Sequence, residues 1–317
     1  MRKSRIILLV LFISLSFAIV KAMEDEGNHY AVDQTAVVKN TIEAVLQPAL
    51  ITEGSAPEIV SYPVLADLEP VSSSTTPETC TSRVETRFGL VRQLNGDTTV
   101  FERGIENRWP IASITKLMTA IVATEHNALA SNITFTESIL KAEGTAGGFA
   151  TGEVVNGADV LKGMLLVSSN DAAEAIAQTY GRDAFIRIMN EKAKELRMLD
   201  TKYVDPSGLS PQNQSTASDL YKLMGYLYDE HPELLQITRQ RSASISIAGV
   251  KAKRKLSNIN IFAGQANFIG GKTGYITEAE GNGNLLTLFT YNNQPFVIVV
   301  LGSPDRFGET KSLLTCI

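Results

Sequence analysis

The stretch Pro110-Ile111-Ala112-Ser113-Ile114-Thr115-Lys116-Leu117-Met118-Thr119-Ala120, continuing through Ile121 and Val122, places a lysine inside an apolar run. Proline followed by small and β-branched residues, then by Leu117, Ala120, Ile121 and Val122, reads as a helix N-terminus leading into a buried helix. A lysine held among Ile114, Leu117, Met118 and Ala120 loses water. That loss disfavours its charged form and lowers its pKa toward the working pH. On such a helix Ser113 and Lys116 share a face, one turn apart. A neutral amine beside a hydroxyl is a base beside a nucleophile.

Composition alone supplies a Ser-x-x-Lys spacing roughly once in a chain of this size. A second copy is present, Ser138-Ile139-Leu140-Lys141, in a stretch with no other chemical signal, and it reads as an ordinary solvated helix face. The pair at 113 and 116 therefore needs support from elsewhere in the chain.

The chain has 317 residues, 44% hydrophobic and 20% charged, which suits one large or two modest globular domains. Its net charge of -5 gives no reason to propose nucleic acid as a partner. Its three histidines, His29, His126 and His231, are widely spaced, and no His-x-x-His or Cys-x-x-Cys pair occurs, so no metal or other cofactor is expected. A Ser-His-Asp triad would have to draw on one of these three, and His126 and His231 both lie in polar stretches that read as helix ends.

Arg2, Lys3 and Arg5 precede an apolar run from Ile6 to Val20, followed by Lys21-Ala22. This is the layout of a secretory signal over residues 1–22. Fifteen apolar residues are short for a bilayer span, which favours cleavage after Ala22 over retention as an N-terminal membrane tether. In either case the remainder is expected to be exported, to the periplasm or cell envelope. Residues 23–82 read as a linker: 33–48 has a weak amphipathic pattern, but 53–82 is rich in Pro, Ser, Thr and Glu and buries too little apolar surface to offset chain entropy. Cys80 and Cys316, the only cysteines, bracket the rest of the chain. In an exported protein they predict a disulfide clasping the ends of one domain, worth up to about 4 to 5 kcal/mol. The alternative is two unrelated thiols near flexible ends.

Residues 83–92 and 98–103 alternate around the turn dipeptide Asn95-Gly96 and predict a β-hairpin, which delivers Arg108-Trp109-Pro110 to the serine. A helix is expected from Ser113 to about Asn127, a glycine-rich loop over 144–157, and helices over 158–167, 171–180, 182–198, 218–228 and 232–239. Ser168-Ser169-Asn170 falls in a break between two helices, where polar residues usually act as caps. From Ser242 the pattern turns to strands, over 242–247, 251–256, 267–273, 284–291 and 295–302, and a short helix from Arg306 to about Thr315 closes the chain. The order is α+β, with the N-terminal hairpin free to complete a sheet made mostly late in the chain. Within the strand region, Gly270-Gly271-Lys272-Thr273-Gly274-Tyr275 has glycines on both sides of Lys-Thr. They would let the backbone of another molecule approach an edge strand that can hold an extended peptide and its carboxylate.

Ser113-x-x-Lys116, Ser168-x-Asn170 and Lys272-Thr273-Gly274, in that order and 55 and 104 residues apart, resemble the signature of penicillin-recognising serine enzymes. In more detail, Ile111 to Ala120, Ser168-Ser169-Asn170-Asp171-Ala172-Ala173 and Lys272-Thr273-Gly274-Tyr275 look like the D-alanyl-D-alanine carboxypeptidases of peptidase family S11, and the likeness covers 83–317. Each motif is weak alone, but three in order at family spacing are strong. The resemblance implies an antiparallel β-sheet flanked by helices with an all-helical subdomain, the β-lactamase and penicillin-binding transpeptidase-like fold.

It also implies roles. Ser113 would attack the carbonyl of the penultimate D-Ala of a peptidoglycan stem peptide, with Lys116 accepting its proton. Ser168, bridged between the two lysines, would pass a proton to the leaving D-Ala, and Asn170 would orient Lys116 and the substrate amide. The backbone N–H groups of Ser113 and Tyr275 would form the oxyanion hole. Lys272 and Thr273 would meet the terminal carboxylate, with Gly274 completing the motif. Arg306 matches a family arginine that serves the same carboxylate, although a helix-end salt bridge is an equal reading. β-Lactam antibiotics would acylate the same serine.

The chain departs from the family's pattern in two places. Many members carry a second β-rich domain and a C-terminal amphipathic helix, whereas this sequence stops at Cys316-Ile317, so any membrane attachment is expected at the N-terminus. The stretch 278–283 is also looser than the family's usual turn after the third motif. A serine β-lactamase would share all three motifs but also needs a carboxylate for its deacylating water, usually a Glu, and 201–209 has none. A non-catalytic peptidoglycan- or penicillin-binding module would be marked by a lost motif residue, and none is lost. The sequence therefore points to a serine-type D-Ala-D-Ala carboxypeptidase of the cell wall.

Overall fold

The computed structural model describes residues 82, 84–276 and 283–317. The expected signal segment, 1–22, and the linker, 23–82 apart from Ser82, lie outside the described residues, as does Cys80. Cys316 is disulfide-bonded.

The chain opens as the expected hairpin, β1 (Phe88–Gln93) and β2 (Thr99–Arg103), paired antiparallel, with Asn95 at φ 59° in the connection. A two-residue strand, β3 (Trp109–Pro110), and a 3-10 turn over Ala112–Ile114 lead into helix α1 (Thr115–Glu125). Strand β4 (Asn132–Thr134) pairs with β5 (Val154–Asn156). The end of the stretch expected to be loop is thus a strand, because Val155 buries against the core.

Helices α2 (Gly157–Leu166), α3 (Asn170–Tyr180) and α4 (Arg182–Glu195) follow. After β6 (Gln214–Ser215) come α5 (Ala217–Glu230) and α6 (Pro232–Arg239). The late strands are β7 (Ser242–Ile245), β8 (Arg254–Ser257), β9 (Phe268–Tyr275), β10 (Gly283–Tyr291) and β11 (Gln294–Ser303), and α7 (Arg306–Leu314) ends the fold. Side chains at the residue before the helix cap several of these: Asn156 accepts from Asp159 N, Ser169 from Ala172 N, Thr216 from Asp219 N and Asp305 from Gly308 N.

The main sheet has the order β2-β1-β11-β10-β9, so the N-terminal hairpin completes a sheet made mostly late in the chain. β7 and β8 form a separate two-stranded ribbon outside it. The period of two along the strands sorts the side chains into two cores. Leu90, Leu286, Val297, Val299 and Leu301 join Leu220, Leu223, Leu227 and Leu235 of α5 and α6, in one core with the helices 115–125, 157–166 and 170–180. Val91, Leu285, Ile298 and Val300 face the other way and pack with Phe262, Phe268, Phe289 and Leu313 of α7. Central strands buried on both faces explain why 296–301 is continuously apolar and why 285–289 is apolar at every position but Thr287. The α+β class and the helix-flanked antiparallel sheet are as expected.

β9 lies at the sheet edge, yet its glycines serve contacts within the molecule. A Cβ on Gly270 would stand 2.7 Å from Thr238 Oγ1, and one on Gly274 would stand 2.6 Å from the Ile111 carbonyl oxygen. The close approach these glycines permit is therefore that of α6 and of the turn before α1, rather than that of a foreign backbone.

Candidate active site

The turn that carries Ser113 is held from three sides. Trp109 and Pro110 pair with Ser215 and Gln214, and Ile111 N donates to Asn213 O at 3.0 Å. Ala112 adopts the left-handed backbone at φ 49°. Its carbonyl oxygen lies where Gly208 can have no side chain, since a Cβ there would sit 1.9 Å away. Gly208 and Gly274 thus bracket the turn from the 205–210 loop and from β9.

Lys116 is fully buried in the first turn of α1. Its Nζ donates to Ser113 Oγ at 2.9 Å, to Asn170 Oδ1 at 2.7 Å and to the Ser207 carbonyl at 2.6 Å. Burial pulls its pKa from 10.5 down to about 7, against the opposing pull of the Asp205 carboxylate. The lone pair that a base requires is therefore available near neutrality, and it lies beside the half-buried serine.

Ser169, not its neighbours, caps α3, which leaves Ser168 and Asn170 to the cleft side of the junction. Ser168 adopts φ 61°, a conformation that costs a residue with a Cβ about 1 kcal/mol or more and is common where function demands it. Its Oγ accepts from Lys272 Nζ at 2.9 Å. Asn170 presents Oδ1 to Lys116, while its Nδ2 donates to the Glu143 carbonyl at 2.6 Å. Ser168 is thus held by Lys272, whereas the three hydrogen bonds of Lys116 go to Ser113, Asn170 and Ser207. The expected bridge of Ser168 to both lysines is represented by its Lys272 half.

Lys272 is buried on β9, and its Nζ also donates to the Thr273 carbonyl at 3.0 Å and Thr273 Oγ1 at 3.4 Å. Burial, and then the charges of Lys116 and Arg306, hold its pKa well below the usual lysine value. Arg306 opens α7 and donates from NH1 to the Gly274 carbonyl at 2.8 Å, with its guanidinium 5.7 Å from the centre of the Tyr275 ring. Its Nε is buried with no hydrogen-bond partner among the described residues. Tyr275 is 60% exposed. All nine residues singled out in the sequence, Ser113, Lys116, Ser168, Asn170, Lys272, Thr273, Gly274, Tyr275 and Arg306, fall within one site.

A cleft of about 620 Å3 opens over this cluster, and Ser113, Asn170, Leu209 and Tyr275 line it. Lys141 and Glu143 also line the cleft, so the second Ser-x-x-Lys copy, exposed as expected, nevertheless sets its lysine at the cleft's border. His126 and His231 close α1 and α5, and His231 is spent on Glu125 and Glu233. Among the described residues no cluster of His, Cys, Asp and Glu could hold a metal ion.

Sequence reasoning read 205–209 as a turn but missed its part in the site. Ser207 contributes a backbone carbonyl, a group that every residue carries and that leaves no signature. Asn213, fully buried, ties the loop to α1: its Nδ2 donates to Thr115 Oγ1 at 3.1 Å and to the Asp205 carbonyl at 2.9 Å. The only available signal was the Ser207-Gly208 turn, where the backbone takes φ 84° at Gly208.

A family model described as D-alanyl-D-alanine carboxypeptidase, Peptidase S11, matches residues 77–305. A D-alanyl-D-alanine endopeptidase of Pseudomonas aeruginosa is 33% identical over 228 residues, 69% of this chain and 71% of that protein. The crystal structure of a D-alanyl-D-alanine carboxypeptidase from Mycobacterium tuberculosis H37Rv has a TM-score of 0.67 at 26% identity, covering 79% of this chain and 95% of that one. Penicillin-binding protein D2 from Listeria monocytogenes, solved in its ampicillin-bound form, has a TM-score of 0.64 at 26% identity, covering 74% of this chain and 98% of that one. With its serine and lysines arranged on this fold and most of its length matched, the chain belongs to the D-alanyl-D-alanine carboxypeptidase family, peptidase S11.

Proposed function

We propose that the chain is a serine-type D-Ala-D-Ala carboxypeptidase that removes the terminal D-alanine from peptidoglycan stem peptides. The observation that carries the reading is the 2.9 Å contact between Ser113 Oγ and a fully buried Lys116 whose pKa burial has drawn to about 7. In this reading Ser113 Oγ attacks the penultimate D-Ala carbonyl carbon as its proton passes to Lys116 Nζ. The carbonyl oxygen gains the charge, and the backbone N–H groups of Ser113 and Tyr275 receive it, each such donor being worth about 10² to 10³ in rate. Collapse of the adduct breaks the C–N bond; Ser168 gives its hydroxyl proton to the departing amine and is reprotonated with the proton that Lys116 took from Ser113, which leaves Lys116 neutral again. Water then attacks the acyl-enzyme with Lys116 again as base, and Ser113 is released.

Lys272, Thr273 and Arg306 would receive the substrate's terminal carboxylate. A bound carboxylate beside Lys272 would restore the ammonium that burial disfavours. The buried, unpartnered Nε–H of Arg306 supports the same assignment over a helix-end salt bridge.

Acylation by β-lactams is proposed on the same geometry, and the likeness to an ampicillin-bound protein supports it. A lasting acyl-enzyme fits better than rapid β-lactam hydrolysis. The one carboxylate in the 201–209 stretch, apart from Asp200 at its border, is Asp205, and both its oxygens are taken by the loop's own donors. We further infer that the chain works outside the cytoplasm. The N-terminal signal pattern and the disulfide at Cys316 support this, since disulfides persist in oxidising compartments.

The kinship with a D-alanyl-D-alanine endopeptidase favours a second reading, cleavage of D-alanyl cross-links between two stems. One assay separates the two: a stem pentapeptide ending in D-Ala-D-Ala and a cross-linked dimer are offered to the protein and to Ser113→Ala. Free D-alanine from the pentapeptide, absent with the variant, establishes the carboxypeptidase. Splitting of the dimer alone establishes the endopeptidase, and inertness of the folded wild-type chain toward both refutes the hydrolase reading.

A further inference from the structure

Asp205 is buried, 7% exposed, in a loop that contains none of the three motifs. Its Oδ1 accepts from Ser207 N at 2.8 Å, Ser207 Oγ at 2.8 Å, Gly208 N at 2.6 Å and Leu209 N at 3.3 Å, and its Oδ2 accepts from Ser210 N at 2.9 Å. One carboxylate thus gathers the donors of four consecutive residues. Gathering donors on one side turns the loop's carbonyls the other way, and the Ser207 carbonyl is the one that meets Lys116 Nζ at 2.6 Å. The same winding puts Gly208 against the Ala112 carbonyl, under the nucleophile's turn.

We propose that Asp205 is the positioning residue for Lys116: its hydrogen-bonded loop aims the amine at Ser113, and its charge sets how readily that amine holds a proton. The proposal rests on the reading of Lys116 as the proton acceptor. The Ser207 carbonyl and Asn170 Oδ1 take two N–H groups, so that the third position of the amine, its lone pair when neutral, faces Ser113 Oγ. The negative charge nearby opposes burial and keeps the amine from becoming so weak a base that it could not take the serine's proton.

The other charged groups around the site act in the opposite sense, are engaged elsewhere or are disfavoured in their charged form. Lys272 on β9 is a like charge. Arg182 on α4 is held bidentate by Glu174, at 2.8 and 3.0 Å, and also feels Asp205. Asp171, beside Asn170 on α3, is pushed by burial toward its neutral form. Arg306 on α7 acts on Lys272.

Two variants of the full chain separate the two effects. Asp205→Asn keeps an acceptor at Oδ1 but removes the charge. Asp205→Glu keeps the charge but lengthens the side chain, so the loop cannot close on it in the same way. Lys116 is followed directly by its ¹³Cε resonance during a pH titration, and acylation by a fluorescent penicillin is timed across the same range. The Asn variant is expected to titrate Lys116 at a midpoint lower than wild type by about half a unit or more, with the acidic limb of acylation moving the same way. The Glu variant is expected to keep the wild-type midpoint but acylate at least about tenfold more slowly.

An unchanged midpoint in the Asn variant, or wild-type acylation by the Glu variant, overturns the proposal, because a loop that is only structural would move neither the titration alone nor the rate alone. If the Asn variant does not fold, the Glu variant decides by itself. If the Lys116 midpoint moves while the acylation limb follows some other group, Asp205 stands as the residue that tunes Lys116, and it is the reading of Lys116 as the base that fails.

Discussion

Substituting Lys116→Met tests what the fold gives up to keep a proton acceptor in its core. Lys116 is fully buried, and its pKa falls from 10.5 in the open chain to about 7 in the fold. Between those two values the unfolded chain holds a proton at this site that the folded chain has released. Wild-type stability must therefore rise with pH across that window, by up to about 1.4 kcal/mol per unit. Below about pH 7 both states are protonated and the contribution levels off at its most unfavourable value. Integrating from pH 7 to pH 9 gives about 2 kcal/mol of stability that the methionine variant does not gain.

Lys272 remains in both proteins, and relief of its repulsion from Lys116 in the variant adds to the difference with the same sign. The absolute stability of the variant is not the test, since methionine leaves Asn170 Oδ1 and the Ser207 carbonyl without their donor. The assay is urea unfolding of both proteins at pH 7, 8 and 9, plotting wild type minus variant. A difference that stays flat to within about 0.5 kcal/mol would mean that Lys116 keeps an ordinary amine pKa. The argument for a neutral base would then collapse with it.

Ser168→Gly should cost activity without costing stability: the left-handed backbone suits glycine, so unfolding free energy holds or rises by up to about 1 kcal/mol, while turnover falls about 10²-fold or more. A loss of more than about 1 kcal/mol would show instead that the Ser168 contact with Lys272 outweighs the backbone strain. Gly208→Ala places a Cβ 1.9 Å from the Ala112 carbonyl at a φ of 84°, so acylation of Ser113 should drop at least about tenfold and the midpoint of thermal unfolding should fall. An alanine variant with wild-type acylation would show that the loop does not seat the nucleophile. Acylation by penicillin should rise with pH through a midpoint near 7, because Lys116 must lose its proton to accept that of Ser113. A rate independent of pH between about 6 and 8 would exclude Lys116 from that step.

Where the sequence was legible, local patterns carried the information. Asn95-Gly96 between alternating runs marked the first hairpin, and the largely apolar runs 284–291 and 295–302 marked two strands of the main sheet, because a strand buried on both faces must be apolar at nearly every position. Where it was not, the deciding contacts join segments far apart. Nothing in Val154–Asn156 advertises its pairing with Asn132–Thr134 across a glycine-rich passage. Ser138-x-x-Lys141 read as a solvated face, and only the folded chain set Lys141 at the border of the cleft.

The sequence by itself determined the candidate groups of the site. Ser113 with Lys116 one helical turn away, Ser168 with Asn170 around a capping Ser169, and Lys272-Thr273-Gly274 on a strand are short-range facts, since helix and strand geometry alone fixes which neighbours share a face. Only the tertiary structure decided that these three pieces meet. It also decided that the pKa of Lys116 falls to about 7, and that a carboxylate outside every motif wraps the loop whose carbonyl holds that lysine. Desolvation and the aim of a backbone carbonyl belong to the packed interior as a whole. No run of residues encodes them until long-range packing has excluded the water.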